Sequence, residues 1–288
     1  MNDAIAPPPP VGTEGNGGVA TAQAQAMIRL RDGAVQPASR MAPEETPIAI
    51  VHDAATYAVM MATPADLEDF TVGLSLTEGV IHAVDEVAGF ETVTTPLGIE
   101  ARLWLRPGRA AALAGRRRMM AGPTGCGLCG VESLALAAKL SRRTLEAIPL
   151  LTTDDVYGAM AALDPELVLG KATRAVHAAG LWRAGQGMVA VREDVGRHNA
   201  VDKLAGALAR RGEAAAGVLT LTSRVSVELV QKAAAMGAPV IVAVSAPTAL
   251  AVRTADAAGI TLVAVARKDG FEVFTHAHRI TGLEAGGA

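Results

Sequence analysis

The chain has only two cysteines in 288 residues, Cys126 and Cys129. No disulfide framework can therefore be built, and all thiol chemistry is confined to one C-x-x-C pair. Aromatic residues make up 3% of the sequence, which leaves no platform for stacking single-stranded nucleic acid. A net charge of −3 supplies no basic footprint for a phosphate backbone, so no nucleic-acid partner is expected. No apolar run reaches about 18 residues, the length at which a membrane helix becomes readable, and no membrane association is expected. The N-terminus lacks the charged-then-apolar layout of a secretory signal, so the cytoplasm is the default location.

Metal chemistry is also poorly provided for. His52, His82, His177, His198, His276 and His278 show no H-x₃₋₅-H spacing beside the C-x-x-C pair. The deaminase pattern H-x-E with a later P-C-x-x-C is missing, because no H-x-E occurs and Pro123 is not adjacent to Cys126. No permanently bound metal is expected.

What the chain does contain is apolar bulk: 50% hydrophobic and 19% charged residues describe a globular protein with one large domain or two ordinary ones. With so few aromatics, its core must be built mainly from Ala, Val and Leu. Residues 1–22, with prolines at Pro7 to Pro10 and scattered glycines, read as a disordered tail.

The two cysteines sit in G-P-T-G-C-G-L-C-G, Gly122 to Gly130. Glycines around both thiols let the backbone bend sharply and let a bulky partner approach either sulfur, so the segment reads as a mobile, accessible loop. A C-x-x-C pair serves as half a zinc site, a redox couple, a structural disulfide or a persulfide carrier. The disulfide would close too short a loop to stabilise a chain this long. Thiol transfer or redox chemistry is favoured, and spacing alone does not separate the two.

A strand-like stretch at Thr46 to Val51 precedes the first well-marked helix. Thr63 is expected to N-cap it with Asp66 as reciprocal acid, Pro64 sits where proline is tolerated, and Leu67, Phe70 and Leu74 line one face up to a stop at Gly79. Residues 90–106 suggest two strands joined by a turn at Pro96 to Gly98. The basic cluster of Arg109 and Arg116 to Arg118 then reads either as a solvated surface or as guanidinium groups that favour thiolate and attract phosphate.

Helical periodicity returns at Val131 to Arg142 and Asp154 to Leu163. In the last third, apolar runs at Val218 to Thr222, Val240 to Val244 and Leu262 to Ala266 alternate with helix-like segments Val225 to Met236 and Thr248 to Ala258. That β-α-β-α-β order predicts an α/β fold with a parallel sheet covered on both faces. Ligands of such sheets sit at the carboxyl ends of the strands, where Ser223, Arg224, Ser245, Ala246 and Arg267 fall.

The segment R-E-D-V-G-R-H-N-A-V-D-K, Arg192 to Lys203, crowds charge onto a strand-to-helix junction. It reads either as capping and salt bridges or as a ligand-facing loop, with Arg197 on an anion and His198 exchanging a proton. His177, between apolar residues, reads as structural. Arg267 to Gly270 reads as a hairpin turn into Phe271 to Phe274.

Several segments together resemble the formate dehydrogenase accessory sulfurtransferase family, also called the FdhD family. They are Met61 to Ile81, R-R-R followed by G-C-G-L-C-G, Arg192 to Lys203, S-R-V-S-V-E-L-V-Q-K-A from Ser223, S-A-P-T-A-L-A from Ser245, and V-A-R-K-D-G-F-E-V-F-T-H from Val265. The resemblance implies that a cysteine desulfurase passes sulfane sulfur to the C-x-x-C loop. The protein would deliver it to a molybdenum or tungsten bis(molybdopterin guanine dinucleotide) cofactor, bound as substrate and needed by the formate dehydrogenase catalytic subunit. Carried over by position, Cys126 would hold the persulfide and Cys129 would assist. Val265, Ala266, Arg267, Lys268, Asp269 and Gly270 would belong to the cofactor-binding segment. The helix starts after Thr222 and Val244, with Arg224, Arg267 and Arg197, would hold the phosphates.

The family fold is similar to a cytidine deaminase-like α/β core preceded by a smaller N-terminal α+β subdomain, and its members look like homodimers. This implies a tail at 1–22, a subdomain at 23–120, the C-x-x-C loop at 121–130 and the core at 131–288. Two competitors remain at this level. One is a non-catalytic chaperone that shelters the cofactor; the other is a disulfide oxidoreductase, disfavoured because the motif lies in a glycine loop rather than at a helix start.

Overall fold

The computed structural model describes residues 18–109 and 150–283. Cys126, Cys129, Arg116 to Arg118, the helix expected at Val131 to Arg142 and most of the expected tail lie outside the described residues. Thr21 and Ala22, at the end of that tail, are buried.

The first element is an antiparallel ribbon, β1 (Ala22–Arg31) with β2 (Ala34–Pro43), closed by a two-residue turn in which Asp32 and Gly33 both have positive φ. The register puts Ala24, Ala26, Ile28 and Leu30 on one face with Met41, Ser39, Pro37 and Val35. At the ribbon's base that face packs on Leu169 and Val176. Toward the tip, Ile28, Leu30 and Val35 are each about two-thirds exposed or slightly more, at 67%, 70% and 69%.

A four-stranded sheet follows in the order β4-β3-β6-β5, made of β3 (Thr46–His52), β4 (Ala55–Ala62), β5 (Val87–Thr95) and β6 (Gly98–Leu105). The β3–β4 turn is Asp53–Ala54, both at positive φ, and the Asp53 carboxylate accepts from the Leu105 N–H at 2.9 Å. Helix α1 (Leu67–Thr77) lays Leu67, Phe70 and Leu74 on Ile48, Ile50 and Ile99. The expected cap is not formed. Asp66, in the left-handed region, occupies the N-cap position without a side-chain bond, and Thr63 is committed elsewhere, as described below.

The second unit is a six-stranded mixed sheet in the order β13-β12-β11-β10-β8-β9. Its strands are β8 (His177–Arg183), β9 (Gly187–Asp194), β10 (Val218–Leu221), β11 (Val240–Ala243), β12 (Thr261–Arg267) and β13 (Gly270–Val273). Strands β10, β11 and β12 are parallel, as their near-continuous apolar sequences predict, while β8 and β13 pair antiparallel to them. A short pair, β7 (Leu151–Thr152) with β14 (Ile280–Thr281), joins the two chain ends of this unit.

Helix α2 (Thr153–Glu166) starts at a capping box between Thr152 and Asp155 and covers one sheet face through Val156 and Ala159. The other face is covered by α4 (Arg197–Arg210), α5 (Val227–Met236) and α6 (Ala249–Ala257), through Val201, Leu204, Leu208, Leu229, Val230, Ala251 and Ala255. Burying each Leu- or Val-sized side chain contributes about 1.5–3 kcal/mol, so this many-membered aliphatic interior needs no aromatic centre. The observed class is the α/β arrangement expected, with the helix-backed four-stranded sheet on its N-terminal side. A five-residue helix, α3 (Leu169–Thr173), lies between α2 and β8, its first N–H groups donating to the Glu193 carboxylate at 2.7–2.9 Å.

The two sheets are joined through α1 and α4. A Cβ placed on Gly73 would lie 1.7 Å from the Asp202 carbonyl oxygen, and one on Gly206 would lie 1.9 Å from that of Asp69. Each helix therefore presents a glycine to the other's backbone.

Candidate functional site

Parallel pairing fixes where the chain's basic groups converge. The carboxyl ends of β10, β11 and β12 lie along one edge of the six-stranded sheet, and β9 ends there too because it runs antiparallel to β8. At about 4.8 Å per strand, the row from β9 to β12 is roughly 19 Å long. It carries Arg197 and His198 after β9, His177 at the start of β8, Ser223 and Arg224 after β10, Ser245 and Ala246 after β11, and Arg267 at the end of β12.

His177 belongs to this row only because β8 is antiparallel. Ala179 pairs with Leu221, so His177 lies beyond the end of β10, opposite Asp194. Its apolar neighbours in sequence suggested a structural role, and no local pattern could have revealed the strand's direction.

Most of the Arg192 to Lys203 segment serves as support. Asp194, fully buried, accepts from the N–H groups of Thr63 at 3.0 Å and Gly196 at 2.7 Å, from the Asn199 side chain at 2.9 Å and from Lys203 at 2.7 Å. Thr63 Oγ1 accepts from the Val195 N–H at 3.1 Å, and its carbonyl accepts from Lys203 at 2.9 Å. Asp202 binds Lys232 at 2.8 Å and Thr77 at 2.6 Å, and Arg192 binds Asp69 at 2.6 Å. These contacts tie α1 and the end of β4 to the start of α4 and are structural.

Arg197 and His198 are not used in this way. The Arg197 Nε is buried with no hydrogen-bond partner. His198 Nε2 lies 2.6 Å from a Glu228 carboxylate oxygen and 3.3 Å from Ser226 Oγ. Burial, followed by the charges of Arg197 and Lys232 and the neighbouring His177, lowers the His198 imidazole to about 4. It is therefore neutral near pH 7 despite Glu228, and because a carboxylate only accepts, the single proton sits on Nε2. Burial and Arg197 also push His177 down, partly opposed by Asp194.

At the far end of the row, Val265 adopts φ 52°, a conformation rare for a β-branched residue, and the β12–β13 register shifts between Ala264 and Arg267. Beyond this bulge, Arg267 pairs with Gly270 across the Lys268–Asp269 turn. The Arg267 guanidinium donates to the carbonyls of Val244 and Ala266, and the side chain is exposed. The segment Val265, Ala266, Arg267, Lys268, Asp269, Gly270 thus forms the end of β12 and its turn into β13, and sends the Arg267 side chain across to the end of β11. Arg109, read from sequence as part of a thiol-facing basic cluster, is engaged elsewhere: it donates to Gly79 O at 2.7 Å and to Val80 O, and lies 3.4 Å from Glu86.

Among the described residues no cluster of His, Cys, Asp or Glu could hold a metal ion, and no helix is long and apolar enough to cross a membrane.

The fold and this edge define an α/β protein that gathers basic groups at the carboxyl ends of parallel strands, with its only thiols carried in a separate glycine-rich segment. The chain belongs to the FdhD/NarQ family, whose model matches residues 43–281. It is 49% identical over 256 residues to the sulfur carrier protein FdhD of Agrobacterium fabrum, covering 88% of this chain and 94% of that one. It is 49% identical over 246 residues to the Brucella abortus protein of the same name, covering 85% and 91%. A crystal structure described as a formate dehydrogenase accessory protein from Desulfotalea psychrophila matches with a TM-score of 0.68 at 25% identity, covering 90% of this chain and 99% of that one.

Proposed function

We propose that this chain is a cytoplasmic sulfurtransferase acting in formate dehydrogenase maturation. It accepts sulfane sulfur from a cysteine desulfurase as a persulfide on Cys126, with Cys129 as second thiol. It hands that sulfur to a molybdenum or tungsten bis(molybdopterin guanine dinucleotide) cofactor held as substrate. The observation that carries the reading is the family membership together with the location of every thiol of the chain in G-C-G-L-C-G. The outer sulfur of a Cys126 persulfide is sulfane sulfur; attack of the Cys129 thiolate on Cys126 Sγ would break the S–S bond and expel it as sulfide for the cofactor, the two electrons coming from the thiols as a Cys126–Cys129 disulfide forms, which an external thiol then reduces.

The roughly 19 Å row of Arg197, His177, His198, Arg224 and Arg267 supports the second half of the proposal, because such a cofactor is long and rich in phosphate. Arg197 has a buried Nε without a partner, whereas Arg267 already serves two carbonyls and would hold phosphate from an exposed position. A homodimer belongs to the same reading. The uncharged face of the β1–β2 ribbon, exposed toward the tip at Ile28, Leu30 and Val35, supports pairing with a second copy, since Arg29, Arg31 and Arg40 alternate onto the opposite face.

The deciding experiment is intact mass spectrometry after incubation with a cysteine desulfurase and cysteine. A reducible gain of about 32 Da that maps to Cys126 is expected. A Cys126→Ala chain that still supports formate oxidation would replace sulfur transfer with simple sheltering of the cofactor.

A further inference from the structure

A buried part of one cation in the row has no partner. Arg197 has a buried Nε without a partner, and the nearest carboxylate along the chain, Asp194, is already saturated by Thr63, Gly196, Asn199 and Lys203. Two imidazoles lie close to it, His198 next along α4 and His177, whose charge state Arg197 influences, across the β8–β9 ladder from Asp194.

The groups that face these imidazoles can be named element by element. His198 meets Arg197 on its own helix, Lys232, Glu228 and Ser226 from α5 and the β10–α5 junction, and His177 from β8. His177 meets Arg197 from α4 and Asp194 from β9. Lys232 is occupied by Asp202, and the Nε2–H of His198 is occupied by Glu228. A second proton on His198 would have to go to Nδ1, where burial and the charges of Arg197 and Lys232 oppose it.

We propose that Arg197, His177 and His198 form one subsite for a dianionic phosphate-type group, and that filling it is coupled to proton uptake by the two imidazoles. A dianion beside Arg197 reverses the local charge and offers acceptor oxygens, so each imidazole gains a reason to protonate that the empty site denies it. By linkage the effect is reciprocal: the protonated site binds the anion more tightly. Loading of a phosphate-bearing substrate is then favoured as pH falls and release as pH rises. The inference rests on the reading of this edge as a substrate site and adds the regulation of that site.

The test is a histidine NMR titration of the full chain in sodium sulfate and in sodium chloride at matched ionic strength. Sulfate is the probe because it stays dianionic across the range in which phosphate itself titrates. His177→Gln and His198→Gln variants assign the two resonances. In sulfate both midpoints should rise by about one pH unit, equivalent to roughly tenfold tighter sulfate binding for each proton taken up and about a hundredfold with both imidazoles protonated. His52, His82, His276 and His278 should not respond.

Arg197→Gln, which leaves the Asp194 network of hydrogen bonds in place, should raise both midpoints in chloride and abolish the sulfate response. Midpoints that are identical in the two salts, or a sulfate shift that survives Arg197→Gln, overturn the proposal. The sulfur-transfer reading fails separately, through absence of the Cys126 persulfide, and unmoved midpoints in a chain that still sulfurates the cofactor reject the coupling alone.

Discussion

Lys203 Nζ lies 2.7 Å from Asp194 Oδ2, with both side chains completely removed from solvent. The pair sits beneath the first turn of α4, and the same carboxylate holds the N–H of Gly196 and the side chain of Asn199, the residues that bracket Arg197 and His198. Through Thr63 it also reaches the chain that enters α1. One buried carboxylate therefore fixes the site loop and docks the four-stranded sheet.

Replacing Lys203 with methionine should cost about 3–5 kcal/mol, because it strands the Asp194 charge in the interior. Removing both charges with Asp194→Leu and Lys203→Met together should not restore stability, as it can for an isolated ion pair. The donors on Thr63, Gly196 and Asn199 would lose their acceptor, each at about 1–3 kcal/mol. Urea unfolding of the single and double variants checks this, and a double variant of native stability would mean that the network does not hold the loop.

The α1–α4 contact makes a sharper steric prediction. Gly73→Ala or Gly206→Ala would place a methyl group within 2 Å of a facing carbonyl oxygen, at 1.7 Å and 1.9 Å respectively. Neither obstacle is a flexible side chain, so the helices must move apart. Each substitution, which would stabilise an isolated helix by about 1 kcal/mol, should instead destabilise the protein by more than that gain, read as a lowered urea midpoint. Unchanged midpoints would show that the helices part at little cost.

The parts of the fold carried by short-range pattern were legible in the sequence. Val218 to Thr222, Val240 to Val244 and Leu262 to Ala266 announced buried parallel strands because every residue along them is apolar or β-branched, and β10, β11 and β12 fall within a residue or so of those limits. The helix at Thr153–Glu166 was readable from its periodicity.

What failed was pattern whose partner is remote. Thr63-Pro64-Ala65-Asp66 has the spelling of a capping box, yet Thr63 serves Asp194, Val195 and Lys203, more than 130 residues away, and a local rule cannot weigh such a competitor. The β1–β2 ribbon was missed because its alternating Ala, Gln and Arg residues have weak strand preference, and its apolar face exists only once the register is known. In the site, Arg197, His198 and Arg267 stood out by composition, whereas His177 needed the antiparallel course of β8 to join them.

The depressed imidazoles also make folding pH-dependent, with a sign opposite to that of a histidine paired to a carboxylate alone. His198 titrates near 4 in the folded chain and near 6.5 when unfolded. Between those values the unfolded state binds more protons, so stability is complete above about pH 6.5 and falls as pH drops toward 4. One such group contributes up to about 1.4 kcal/mol per pH unit across that window. His177, also lowered, acts in the same direction. His198→Gln should flatten the dependence of unfolding free energy on pH in this range, as measured by urea titrations at successive pH values, while leaving the alkaline limb unchanged. An identical slope in the variant would show that His198 protonates freely in the folded protein, and that Glu228 at 2.6 Å, rather than burial and Arg197, governs its charge.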